Sequence, residues 1–285
     1  MKNLKIPDLN KILKPIWSHK AGYGWSAELK EWKKQRIKEQ ATTPEDSLLL
    51  KKLGIKRNDN VLAIAGYYAS WASKIKEAGT NVTYSDISKS MIDYAKKEVK
   101  TKFSNYIHSN YELIPRKINE YDWTFTFEAC GGQQGLSIAA IRSLLNRKGC
   151  IFVYYMRIGK QKISTGSKSR TYPNIVKKIA QIYKAKYKIK KVNFRAHRKG
   201  YAPRFMPHMV FVLFTNQQSK KDAELDLKVL EYIKNKKEIM LEKESSKLNI
   251  NKSQLKESLK RLNRLTPLMK KEFVRYIGIK QKIDK

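Results

Sequence analysis

Between residues 46 and 216, short apolar runs alternate with stretches of helical spacing. Val61-Leu-Ala-Ile-Ala is an apolar run followed by a glycine, which predicts a strand, and Ala69–Ala78 predicts a helix. Asn81-Val-Thr-Tyr-Ser is the next strand, and Ser88–Val99 sets Met91, Ile92, Ala95 and Val99 on one helical face. Phe103–His108 and Tyr121–Phe127 continue the strands, with a helix over Leu136–Leu145 and a fifth strand over Cys150–Met156. A Gly/Ser/Lys loop is expected over 159–170, then a helix over Ile175–Tyr183. Lys188–Phe194 and Met209–Phe214 follow as strands with no helix between them, which predicts an antiparallel pair at one edge. Strands alternating with helices of about ten residues specify an α/β fold with a largely parallel sheet.

Outside that region the pattern changes. Residues 1–45 are basic and aromatic, with Trp25, Leu29 and Trp32 at helical spacing, and predict a helical extension over the core. A short helix, Ser47–Leu53, closed by Gly54, leads into the sheet. From Asp222 only helices are predicted: one through Leu225, Val229, Leu230 and Ile233, a second over Ile239–Leu248, a third over Gln254–Leu265. Asn251 and Gln254 have the spacing of a capping box at the start of the third. Pro267 is expected to end the helical run, and Glu272–Ile279 reads as a strand. Three short helices with a tight turn before the third, then a strand, are the plan of a winged helix-turn-helix over 222–285.

Charge adds a partner to this picture. The 285 residues carry 61 Lys+Arg against 25 Asp+Glu, a formal net charge of +36. From 129 to 221 there are 21 basic residues and no acidic one, whereas the tail from Asp222 mixes 17 basic with 10 acidic. A solvated surface interleaves both signs, so the acid-free middle points to a polyanionic partner, with nucleic acid phosphate first. An anionic membrane surface fits less well, because the basic residues do not gather on one amphipathic helix. The hydrophobic share of 41% and aromatic share of 11% exclude a disordered chain. No apolar run reaches a membrane span, and the opening residues lack the apolar core of a secretory signal. Two cysteines, Cys130 and Cys150, make neither a disulfide scaffold nor a zinc site, and His108, His197 and His208 have no metal-ligand spacing. The expected setting is cytoplasmic and reducing.

Residues 61–98, VLAIAGYYASWASKIKEAGTNVTYSDISKSMIDYAKKE, resemble the first two strand–helix units of class I S-adenosylmethionine-dependent methyltransferases. The likeness extends over residues 55–215. IHSNYELIP resembles the third-strand segment, YDWTFTFEA the fourth strand and NRKGCIFVYY the fifth. The resemblance implies a seven-stranded Rossmann-like sheet with S-adenosylmethionine at the carboxyl ends of its strands. It would be held by Ala63, Ala65, Gly66 and Tyr67 after the first strand, Asp86 and Ile87 after the second, and Asn110 and Tyr111 after the third. A small-residue turn lets main-chain N–H groups approach a cofactor, and an acid ending the second strand can hold ribose hydroxyls. This chain departs from the family at the turn: Ala63, Ala65 and Tyr67 replace the family's acid and two of its glycines, and Gly66 alone remains.

Glu128, just after the fourth strand, stands where the family places catalytic or substrate-contacting residues, and it can position or deprotonate an acceptor. Cys130 is near the place of the cytosine-5 DNA methyltransferase nucleophile but lacks the neighbouring prolines, and reads as a structural cysteine. Lys160, Lys162, Lys168 and Arg170 in the loop after the fifth strand are candidate phosphate contacts, as are Lys252, Lys256 and Lys260 on the third tail helix. Gln254 on that helix is a candidate base contact. Methyl transfer to DNA, RNA or a nucleic-acid-associated protein is the function these features imply together. The alternative is a non-catalytic DNA- or RNA-binding protein on a degenerate methyltransferase fold.

Overall fold

The computed structural model describes residues 4–5, 50–64, 69–86, 89–109, 114, 117–127, 132–155, 166–196, 204–233 and 238–276. After a two-residue strand β1 (Leu4–Lys5), the chain builds β2 (Asn60–Ile64), α1 (Ser70–Glu77), β3 (Asn81–Asp86), α2 (Lys89–Lys97) and β4 (Asn105–His108). It continues through β5 (Trp123–Phe127), α3 (Gly132–Ser143), β6 (Gly149–Tyr155), α4 (Gly166–Ile182), β7 (Lys186–Ala196) and β8 (Arg204–Phe214). The tail holds α5 (Gln217–Ile233), β9 (Glu238–Ile239), α6 (Leu241–Leu248) and α7 (Lys252–Tyr276).

Seven strands make one sheet in the order β4-β3-β2-β5-β6-β8-β7. β4, β3, β2, β5 and β6 pair in parallel, and β8 enters antiparallel between β6 and β7. The seven-stranded sheet and its antiparallel edge pair are as expected. Covered on both faces, the central strands are largely apolar, with buried Ser85, Thr124 and Thr126 as their hydroxyl-bearing exceptions. On one face Val61, Ala63, Tyr84 and Phe125 meet Trp71 and Ile75 of α1 and Ile92 of α2. On the other, Cys150, Phe152, Phe211 and Leu213 meet α3 and α4. Gly149 (φ +136°) opens β6 where a Cβ would stand 1.9 Å from the Leu213 carbonyl oxygen, so the crossing with β8 requires glycine there.

The amino ends of β2 and β5 are tied by buried carboxylates. Asp59 accepts from the Trp123 indole at 3.1 Å and from the Lys56 amide at 2.9 Å, and Lys148 pairs with it at 2.5 Å. Asp122 accepts from the Asn60 amide at 2.9 Å.

The tail helices share the core. Leu255, Leu259, Leu262 and Leu265 of α7 and Val229 and Leu230 of α5 belong to the same apolar cluster as Ile138 and Ile141 of α3 and Val176 and Ile179 of α4. A polar lock accompanies this packing. Arg261 grips fully buried Asp226 with its Nη2 at 2.7 Å and its Nε at 2.9 Å, and the Tyr183 hydroxyl donates to the same carboxylate at 2.9 Å. The expected capping box is present: the Gln254 amide donates to Asn251 Oδ1 at 2.8 Å and the Asn251 amide to Gln254 Oε1 at 2.9 Å. Asn249 makes the preceding turn at φ 52°, a left-handed conformation that asparagine tolerates.

Three expectations need correction. The strand expected over Glu272–Ile279 is helical as far as Tyr276, and Pro267 lies inside α7. Proline removes one main-chain hydrogen bond, but a helix already anchored by four buried leucines continues past it. α4 begins at Gly166, nine residues before its first apolar position, Ile175, so Lys168 and Arg170 lie on a helix and not in a loop. β7 and β8 are longer than expected, eleven residues each. Of the basic N-terminal extension only β1 is described, and it pairs antiparallel with β9. Among the described residues no helix is long and apolar enough to cross a membrane.

Candidate functional site

The order of the sheet reverses between β2 and β5: β3 and β4 lie to one side, and β6, β8 and β7 to the other. Connections leaving adjacent strands in opposite directions open a crevice at the carboxyl ends, which is where open α/β sheets bind ligands. β2 ends at Ile64, β3 at Asp86 and β5 at Phe127.

Asp86 is 7% exposed at the end of β3, beside His108 in register on β4. The Tyr84 hydroxyl donates to Asp86 Oδ2 at 3.2 Å, and the Asp86 carbonyl accepts from the Ser109 amide at 3.1 Å. The carboxylate is therefore oriented through a side chain two residues earlier on its own strand, and its backbone is fixed to the chain leaving β4. Burial, and then the negative charge of Asp86, raise the Tyr84 phenol well above its ordinary range, so Tyr84 stays a neutral donor. A buried, oriented carboxylate in this place can accept hydrogen bonds from vicinal hydroxyls.

Ile64 pairs in register with Ser85 on one side and Thr126 on the other. Register partners in a parallel sheet project to the same face, so the two hydroxyls flank Ile64 on one surface. Both residues are fully buried, and among the described residues neither Ser85 Oγ nor Thr126 Oγ1 has a hydrogen-bond partner. Leaving a buried hydroxyl unpaired costs about 1–3 kcal/mol, and two on the strands either side of β2 call for a partner. Sequence reasoning missed this pair. Its signal lay in the hydroxyls alternating with large apolar residues in Val-Thr-Tyr-Ser and Trp-Thr-Phe-Thr.

The other expected site residues divide as follows. Asp86 is the last residue of β3. Ala63 is 1% exposed and packs in the apolar cluster under α1, so its side chain serves the core. Ala65, Gly66, Tyr67, Ile87, Asn110, Tyr111, Glu128, Cys130, Lys160 and Lys162 lie outside the described residues. Cys150 is a buried residue of β6. Lys252, Lys256 and Lys260 are exposed along one side of α7, with Lys252 paired to Glu242 at 2.5 Å and Lys260 to Glu257 at 2.6 Å. Gln254 is exposed too, but its carboxamide oxygen is engaged in the capping box. Among the described residues no His/Cys/Asp/Glu group could hold a metal ion.

No family model matches the sequence, and no curated protein matches it. Solved structures do resemble the fold. A SAM-dependent methyltransferase from Aquifex aeolicus aligns at 15% identity and a TM-score of 0.44, over 63% of this chain and 93% of that one. An N-methyltransferase from Bradyrhizobium japonicum aligns at 13% identity and 0.42, over 59% and 94%. A magnesium protoporphyrin IX methyltransferase from Synechocystis, solved with bound SAM, aligns at 12% identity and 0.40, over 74% and 99%.

Proposed function

We propose that this chain transfers a methyl group from S-adenosylmethionine to a nucleic acid or to a protein associated with one. The observation that carries the reading is Asp86: an oriented, buried carboxylate ending the strand next to the point where sheet order reverses. The residues present fit the cofactor. Asp86 supplies the acceptor that ribose hydroxyls need, and Ser85 and Thr126 bring two polar groups that lack partners among the described residues. Ala65, Gly66, Tyr67, Ile87, Asn110 and Tyr111 follow the ends of β2, β3 and β4 in sequence and would complete the binding surface. When bound, the cofactor supplies an electrophilic sulfonium methyl. The chain's own share is to hold the acceptor in line with that methyl and keep water away, so rate enhancement comes from proximity and orientation. Glu128, one residue past β5, would position the acceptor or take its proton.

Charge supports the nucleic-acid half of the reading. A net charge of +36, with no acid from 129 to 221, favours a phosphate-rich acceptor over a neutral small molecule. Lys168 and Arg170 on α4, and Lys252, Lys256 and Lys260 on α7, are the proposed phosphate contacts, together with Lys160 and Lys162. The α6–turn–α7 unit supports a helix-turn-helix role for the tail. Exposed ion pairs such as Lys252–Glu242 are weak, so phosphate can displace them at little cost. A competing reading, a nucleic-acid-binding protein without catalysis, draws on Ala63, where a core methyl stands in place of the family's acid.

Incubation with tritiated S-adenosylmethionine and separate RNA, DNA and protein fractions tests the proposal. It predicts label in a nucleic-acid fraction or a nucleic-acid-bound protein, dependent on Asp86. Nucleic-acid binding without transfer of label to any fraction favours the non-catalytic reading.

A further inference from the structure

Among the described residues the sheet ends at β7, which pairs with β8 on one side only. Along it Lys186, Lys188 and Lys190 are exposed at every second position. Alternate residues of a strand project to one face, so the three ammonium groups form a row with steps of about 6.6 Å, roughly 13 Å in all. Among the described residues no acidic side chain pairs with any of them, and the flanking sequence holds no acid between 129 and 221. Lys188 Nζ lies 5.6 Å from the centroid of the Phe214 ring, an attraction that leaves its charge unneutralised. Tyr187, between the first two lysines, is 40% exposed and projects to the other side of the same edge.

We infer that the free edge of β7 is a phosphate rail for a single nucleic-acid strand, with successive backbone phosphates on Lys186, Lys188 and Lys190 and a base against Tyr187. Evenly spaced point charges without carboxylates suit a repeating anion better than one compact anionic group. A charged track with an aromatic beside it is the chemistry of sequence-tolerant single-strand binding. β7 runs in the same direction as β2, because β8 is antiparallel to both β6 and β7. The row therefore climbs toward the rim that carries Asp86, five strand spacings away, or about 24 Å. A strand whose reacting nucleotide sits at the crevice can lay its flank along β7. The inference rests on the nucleic-acid half of the proposed function and is independent of the cofactor half.

Fluorescence anisotropy with labelled single-stranded RNA and DNA of about twelve nucleotides, without cofactor and over a range of KCl, tests it. K186Q/K188Q/K190Q should weaken binding at least about tenfold and lower the slope of log K against log salt by about 2, near 0.7 for each of three contacts. K51Q/K52Q/K97Q, which removes equal charge from exposed positions elsewhere, should change affinity less than about twofold. The three arginine replacements on β7 should restore binding, and Y187A should weaken single strands while sparing duplex. Equal effects of the two glutamine triples, or an unchanged slope, overturn the rail. So does a β7 triple that keeps its nucleic-acid affinity but self-associates in sedimentation, since edge lysines would then serve only to block strand pairing. Loss of binding to phosphatidylserine vesicles with nucleic-acid affinity intact overturns it in favour of a membrane. Wild-type protein that binds no nucleic acid overturns the rail and the proposed acceptor together. Binding through the rail by a protein that takes up no S-adenosylmethionine upholds the rail and removes only the cofactor half.

Discussion

Tyr84 holds Asp86 by a 3.2 Å hydrogen bond between side chains two residues apart on one strand. The period of β3 dictates this contact, because residues i and i+2 share a face. The carboxylate is thus oriented before any ligand arrives. Tyr84→Phe should keep the fold and lower affinity for S-adenosylhomocysteine several-fold, whereas Asp86→Ala should cost about 1–3 kcal/mol of binding. Calorimetry on the two variants checks the order of effects.

The same phenol gives a pH dependence. Tyr84 and Tyr183 both titrate well above the ordinary tyrosine range, Tyr84 through burial and Asp86, and Tyr183 through burial and Asp226. A raised folded-state value means that the native protein keeps protons which the unfolded chain releases near pH 10. The stabilisation is complete below that pH and is lost as pH rises above it. Thermal melts between pH 8 and about 11 should show a falling Tm at the alkaline end, and the slope should flatten in Tyr84→Phe.

Arg261 is the keystone between α7 and α5. Arg261→Met leaves Asp226 buried without its cation and should cost about 3–5 kcal/mol, lowering Tm markedly. Lys260→Met, one residue away on the exposed side, should change Tm little. Similar melting of the two variants would mean that the tail is held by its leucines alone.

Gln254 supports its helix through the capping box rather than projecting a free amide. Gln254→Ala should cost about 1 kcal/mol of stability and leave any preference among nucleic-acid sequences unchanged. Competition binding with sequence-randomised oligonucleotides separates these effects. A change in preferred sequence would return Gln254 to the base-reading role its position on the third tail helix implied.

Much of this architecture was legible because burial writes its period into the chain. Val61–Ile64 and Trp123–Phe127 are apolar or hydroxyl-bearing throughout since both of their faces are covered, and α2 carries its stripe through Ile92 and Ala95. Periodicity names a face but not what covers it. Leu255, Leu259 and Leu262 gave a helix, while nothing local placed them against α3 and α4 of the main core. Propensity misled at two termini. Gly166-Ser-Lys-Ser has no apolar residue to signal a helix, and Pro267 is a breaker that tertiary packing overrides. Asp86 was readable from its place after a strand. Ser85 and Thr126 were not, because their pairing across Ile64 exists only once three strands are in register.

That pair makes a sharp distinction between stability and function. Ser85→Ala and Thr126→Val remove buried hydroxyls that have no partner among the described residues, so the unliganded protein should be as stable as the parent or more so. If the hydroxyls meet a ligand, the double variant binds it several-fold more weakly despite its undiminished Tm. Loss of stability without loss of binding would assign them to the core.

The central claim is that the crevice at Asp86 is a cofactor site, and calorimetric titration of the full chain with S-adenosylmethionine and S-adenosylhomocysteine tests it most directly. One site per chain, weakened by about 1–3 kcal/mol in Asp86→Ala, is the predicted result. No heat of binding at millimolar cofactor, or equal binding by the parent and Asp86→Ala, would contradict it.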